Sequence, residues 1–189
     1  CFAYLRAGQG GFAPYHRAMT DQPTPPVLYR ASVPVFLHYL DRMAAILARM
    51  DVTPEVLAHR LAPDMAPASA QFSTAINFSL RTCLKLAGKR VSGVPQVDAS
   101  REVLADWLAA ARAKLAALKP EDFAESRTIQ HRAGVAFLEQ SGHDFLHLFG
   151  MPNFMFHYAM AYANLRAAGV PLGKADFDGL HGYPEGFVL

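Results

Sequence analysis

The stretch Met151-Pro152-Asn153-Phe154-Met155-Phe156-His157-Tyr158, continued by Ala159 to Leu165, decides the reading of this chain. It reads as a helix that is apolar almost all round, yet it carries Asn153 and His157 at positions i and i+4, which share one helix face. With no hydrophilic side available, that face is expected to point into the protein. A buried polar group left without a partner costs roughly 1–3 kcal/mol. The pair is therefore either a structural hydrogen-bond node or the floor of a site.

Working back from this helix, the spacing predicts three more. Val33, Phe36, Leu37, Leu40, Ala44, Leu47 and Met50 recur every three or four residues and define a first helix over Leu28 to Met50. Thr53-Pro54-Glu55 is a helix-start signal for a short helix from Pro54 to His59. A second long helix runs from about Pro67 to Ala87, with Phe72, Ala75, Ile76, Leu80, Cys83, Leu84 and Ala87 as its apolar stripe and Gly88 as its stop. A loop over Ser92 to Ala99 precedes a third helix from about Arg101 to Leu118, capped by Ser100 and ended by Pro120. Thr128-Ile129-Gln130 and Val135-Ala136-Phe137 flank His131 to Gly134 and read as a small β-hairpin with its turn in those four residues. A short helical stretch from His143 to Phe149 is broken by Gly150 and Pro152. The last helix then extends from Asn153 to Ala168, with Gly169 as its C-cap and an irregular tail from Val170 to Leu189. The expected fold is all-α: a four-helix bundle with a β-hairpin inserted before the last helix.

The 189 residues are 52% hydrophobic and 18% charged, which suits one domain over residues 27–189 with a single core. A net charge of +2, without a clustered basic run, gives no case for a nucleic-acid or membrane-surface partner. The apolar stretches are all too short to span a bilayer. Two cysteines, Cys1 and Cys83, make a disulfide framework improbable and fit a cytoplasmic location. Residues 1–26 read as an extension preceding the domain. Met19 is its expected true start, because residues 1–18 lack both an initiator Met and a signal-peptide pattern.

The candidate residues divide by how ordinary their bland explanation is. His143 and His147 are spaced as metal-binding helix pairs are, but no Glu follows the first, so the metalloprotease pattern is absent. Two surface histidines explain them as well. His157 is either a core histidine bonded to a neighbour or a ligand or general base facing a cavity. Asp64 precedes the second helix and fits a favourable charge at its N-terminus. Gln71 and Asn77 are polar residues among the apolar ones of that helix. His38 is expected to be solvated, and His16, His59, His131 and His181 to lie in loops, helix ends or tails.

Five blocks resemble an uncharacterised bacterial domain-of-unknown-function family of the DinB-like superfamily: Ala31 to Phe36, Arg60 to Met65, Pro152 to His157, Ala161 to Arg166 and Gly169 to Phe177. The resemblance spans about residues 28 to 179 and agrees with a start at Met19. It implies a DinB-like four-helix bundle, often a homodimer. Well-studied superfamily members hold zinc or nickel with three histidines, one from the second helix and two from the last at i and i+4, and some transfer thiols or isomerise small acids. Here the second-helix position falls near Gln71, and the last-helix pair is either Asn153 and His157 or His157 and Ala161, so the three-histidine triad is not recognisable. Amides are poor ligands for transition metals. The resemblance thus leaves Asp64, Gln71, Asn77, Asn153 and His157 as the expected polar cluster, with His157 as catalytic base or sole strong metal ligand and the others as substrate-binding residues. Two functions stay open: a degenerate relative of these metalloenzymes acting on a small molecule, or a non-catalytic dimeric bundle with a structural polar core.

Overall fold

A computed structural model describes residues 24–95 and 98–184. The order is α1 (Val27–Leu47), α2 (Pro54–Ala58), α3 (Ala68–Leu86), α4 (Arg101–Ala116), a single 3₁₀ turn (Pro120–Asp122), β1 (Thr128–Ala133), β2 (Ala136–Ser141), α5 (Gly142–Asp144), a π-helical turn (Phe145–Gly150), α6 (Met151–Ala167) and α7 (Lys174–Asp178). Met19, Cys1 and His16, and with them the expected start, lie outside the described residues.

The long helices form where the periodicity places them, because each buries its stripe. Leu28, Val33, Phe36, Leu40, Met43, Ile46 and Leu47 of α1 are inside, as are Phe72, Ala75, Ile76, Leu80 and Cys83 of α3. The helix ends use local chemistry. Thr53 Oγ1 accepts from the Val56 amide and Ser100 Oγ from the Val103 amide, at 3.4 and 3.3 Å. Gly88 and Gly169 both take positive φ and close α3 and α6. At the second, the Gly169 amide reaches the Arg166 carbonyl and the Val170 amide the Leu165 carbonyl, each at 3.0 Å, and the buried side chains of Val170 and Leu165 accompany the motif. Lengthwise, α3 is the central element: it packs most extensively on α6, then on α4, while α1 packs on α4, α7 and α3. Phe36 of α1 meets Phe154 of α6 edge-on at 5.0 Å across the core.

Three elements depart from the sequence reading. The hairpin turn is Gly134-Val135, with Ala133 opposite Ala136, so His131 lies within β1 rather than in a loop. Strand alternation puts His131 beside Ile129 on the inward face. The last helix does not begin at a break. The backbone stays right-handed helical at Asp144, Phe145, Gly150 and Met151, so α5, the π turn and α6 run on continuously. The wider π turn sits just before Pro152, whose missing N–H already removes a donor from the helix ladder.

Nor is the tail merely irregular. The ring of Phe177 in α7 stacks on Tyr158 at 4.3 Å, and Tyr158 Oη donates to the Phe177 carbonyl at 2.9 Å. His38 Nε2 bonds the Asp178 carbonyl at 2.7 Å. His38 is thus half-buried rather than solvated, and α7 ties α6 to α1.

Gly150 is where the π turn approaches α3 most closely: a Cβ there would lie 2.5 Å from Thr82 Oγ1 and 2.6 Å from its Cγ2. Gly150→Ala is expected to cost about 1–3 kcal/mol in urea unfolding, as overpacking does, and Thr82→Ala in the same chain to recover part of it. A Gly150→Ala protein as stable as the parent would contradict this contact.

Candidate functional site

The seam between α3 and α6 holds one polar pair of direct consequence. Gln71, on the first turn of α3, is buried, with 4% of its surface exposed. Its amide nitrogen donates to the Ala66 carbonyl at 3.4 Å, which turns its oxygen toward α6. His157 Nδ1 lies 2.7 Å from that oxygen. A carboxamide oxygen only accepts, so the Nδ1–H of His157 donates and Nε2 carries the lone pair. The imidazole is half-buried, stacked nearly parallel on Phe78 at 5.5 Å and met edge-on by Phe156 at 5.1 Å. Burial lowers its pKa from the ordinary value of 6.5, so the neutral form, with an available acceptor, prevails at neutral pH.

The other expected members of the cluster go elsewhere. Asn153 donates to the Phe149 carbonyl at 2.7 Å, within its own helix. Asn77 forms a two-way bond with the loop after α3: its Nδ2 donates to the Val94 carbonyl at 2.8 Å, and the Val94 amide donates to its Oδ1 at 2.7 Å. Asp64 is exposed in the turn before α3. Among the described residues no hydrogen bond or ion pair joins it to Gln71 or His157, and the N-cap of α3 is Pro67, with no side-chain cap.

Asn77 does line a cleft of about 340 Å³, with Phe78, Arg81, Val91, Gly93 and Val94. Phe78 belongs both to this cleft and to the surroundings of His157. Sequence reasoning missed Phe78 and Arg81, although Gln71, Phe78 and Arg81 follow one stripe of α3 at i, i+7 and i+10. It also missed His131, whose Nε2 meets Gln140 Oε1 at 2.7 Å while its ring packs 4.2 Å from Phe149 and 4.9 Å from Phe145. Its buried Nδ1 has no hydrogen-bond partner among the described residues.

Four other histidines among the described residues each have a hydrogen-bond partner. His143 Nε2 pairs with Glu125 at 3.0 Å, and His147 Nδ1 donates to the His143 carbonyl at 2.9 Å, both on the surface. His59 Nδ1 meets the buried Asn164 at 3.3 Å, and His181 pairs with Asp178. The buried Cys83 has its thiol pKa pushed well up by its apolar surroundings.

The donor set does not fit a three-histidine metal centre. At the matching positions, the Gln71 oxygen serves His157, the Asn153 amide serves Phe149, and only one imidazole is present. Among the described residues no three His, Cys, Asp or Glu side chains are grouped to hold a metal ion.

A four-helix arrangement with a hairpin before the last helix, and a polar pair where α3 meets α6, defines a DinB-like helical protein. The structure is similar to the crystal structure of a DinB family member protein from Shewanella denitrificans, at a TM-score of 0.70 and 26% sequence identity over 83% of this chain and 94% of that one. Residues 28–178 match the model of the domain of unknown function DUF1993, and the chain belongs to that family. None of the curated proteins matches it. No helix among the described residues is long and apolar enough to cross a membrane.

Because burial depresses the His157 pKa, the unfolded chain binds that proton more readily than the folded one. The neutral ring's contribution to stability is therefore complete above about pH 6.5 and is lost as pH falls through the depressed pKa. Urea unfolding of the parent should lose more stability between about pH 7 and about pH 5 than that of His157→Phe. Equal losses in both proteins would mean that His157 titrates as a solvated group.

Proposed function

We propose that this protein binds and acts on a small molecule at the α3–α6 seam, with His157 as the hydrogen-bond acceptor or general base and Gln71 as the group that orients it. The observation that supports this reading most is the neutral, half-open imidazole whose tautomer is set by a buried amide. A histidine held this way presents Nε2 as a base at neutral pH. Phe78 couples it to the neighbouring cleft, whose size is that of a small-ligand pocket. In this reading the protein is a relative of the DinB-like metalloenzymes that has replaced the three-histidine chemistry with a protein-only site. The dependence on a divalent metal is not carried over, since the donors present do not suit one.

A second reading has its own support. Gln71 is 4% exposed, and its bond to His157 joins the two most extensively packed helices. A purely structural node would look the same from that side. The homodimer implied by the resemblance and the cytoplasmic location read from the cysteines belong to this proposal as well. Phe137 and Phe156, at 69% and 54% exposure, are the kind of side chains that a dimer would cover. Sedimentation at micromolar concentration reads that directly.

The experiment that separates the readings follows the His157 ring resonances by NMR during titration with phenol, which has a flat ring and one O–H donor. A functional site predicts saturable shifts at His157 and Phe78, lost in His157→Phe while the fold is retained. The structural reading predicts no response to phenol and a loss of about 1–3 kcal/mol in His157→Phe, which strands the Gln71 oxygen.

A further inference from the structure

The cleft beside Phe78 carries positive charge that no described residue neutralises. Arg81 follows Phe78 by three residues on α3 and is half-buried. The centre of its guanidinium lies 4.9 Å from the ring centre of Phe149 and 6.0 Å from that of Phe78. One hydrogen bond leaves it, from Nη2 to the Arg132 carbonyl of the hairpin. A guanidinium has five N–H donors, so most of the fork is without a hydrogen-bond partner among the described residues. Lys85, one turn further, donates to the Gln130 carbonyl at 2.8 Å. Neither cation has a carboxylate partner among the described residues, although other cations of the fold do pair, such as Lys89 with Asp122 at 2.8 Å. The two also repel: burial and the charge of Arg81 together lower the Lys85 pKa.

The remaining walls combine polar and apolar groups. Asn77 has both amide atoms bound to Val94, so it holds the loop in place. Phe78, Val91 and Val94 supply a flat ring and two aliphatic side chains. A half-buried cation without a counter-charge among the described residues, set beside the rings of Phe78 and Phe149 at the edge of a cleft that also offers apolar side chains, matches a ligand with an anionic group on a flat apolar body.

We propose that this cleft binds a small organic anion, with its carboxylate or phosphate on Arg81 and its flat part against Phe78. The inference deepens the reading given above and rests on it only in that Phe78 joins the cleft to His157. The competing role for Arg81 is a latch that holds the hairpin through the Arg132 carbonyl. A glutamine amide could make that bond without charge.

The test titrates the whole chain with benzoate, phenyl phosphate and the neutral isostere benzamide, using calorimetry for affinity and NMR for location. Benzoate or phenyl phosphate should bind about tenfold more tightly than benzamide, the margin of one charge-assisted hydrogen-bond pair. Which of the two binds better identifies the anionic group. Arg81→Gln should abolish the preference, and Arg81→Lys, which keeps the charge but loses the fork, should retain part of it. Equal affinity for benzoate and benzamide, no binding of either anion, or a preference unchanged in Arg81→Gln overturns the proposal. If phenol shifts His157 but charge makes no difference, the site stands and the anion does not. If the anion preference depends on Arg81 while His157 stays silent, the anion stands and the small-molecule reading of His157 falls.

Discussion

The packing of α3 against α6 is the constraint on which the rest depends. Both helices are apolar on more than one face, so each must be covered from several sides. The result places α3 centrally, with α6 on one side and α4 on another, and leaves α1 to close the core through Phe36 and Phe154. Within that seam a buried polar side chain is costly unless it finds a hydrogen-bond partner. Gln71 and His157 meet this condition for each other. Asn153 and Asn164 meet it differently, by donating to carbonyls one turn back, Phe149 in the π turn at 2.7 Å and Met160 in α6 at 2.8 Å.

The same seam explains why the metal chemistry associated with the wider superfamily does not transfer. A transition-metal site needs several imidazoles, thiolates or carboxylates converging on one point. Here the amides at the matching positions are already bonded to protein groups, and the lone imidazole has one nitrogen committed. What remains is a proton acceptor set in an aromatic surround. His157, Phe78, Phe149 and His131 form a connected series of rings, with Arg81 placed over two of them. Rings of this kind exclude water from one side of each polar group and strengthen the hydrogen bonds that remain.

The hairpin and the tail are accessory in length but not in effect. β1 contributes Ile129 and His131 to the interior, and the carbonyls of Gln130 and Arg132 receive the two cations of α3. The tail brings Phe177 onto Tyr158 and the Asp178 carbonyl to His38, closing the opposite side of the bundle. Each segment is held by side chains far away in the sequence.

The amino-acid sequence by itself determined the helices, their caps and the family, because helical periodicity, Thr53, Ser100, Gly88 and Gly169 act over a few residues. It also marked Gln71 and His157, since polar residues on apolar faces stand out without any fold. It could not place His131, whose burial follows from a hairpin turn one residue pair away from where the residues alone put it, nor separate Asn77 from the cluster, since its partner is a loop backbone. The meeting of Gln71 with His157, and the gathering of Phe78, Arg81 and Val94 around one cleft, were decided only by the tertiary structure. Contacts across tens of residues depend on how helices are rotated and paired, and periodicity fixes which face is buried but not which residue of a neighbouring helix it will face.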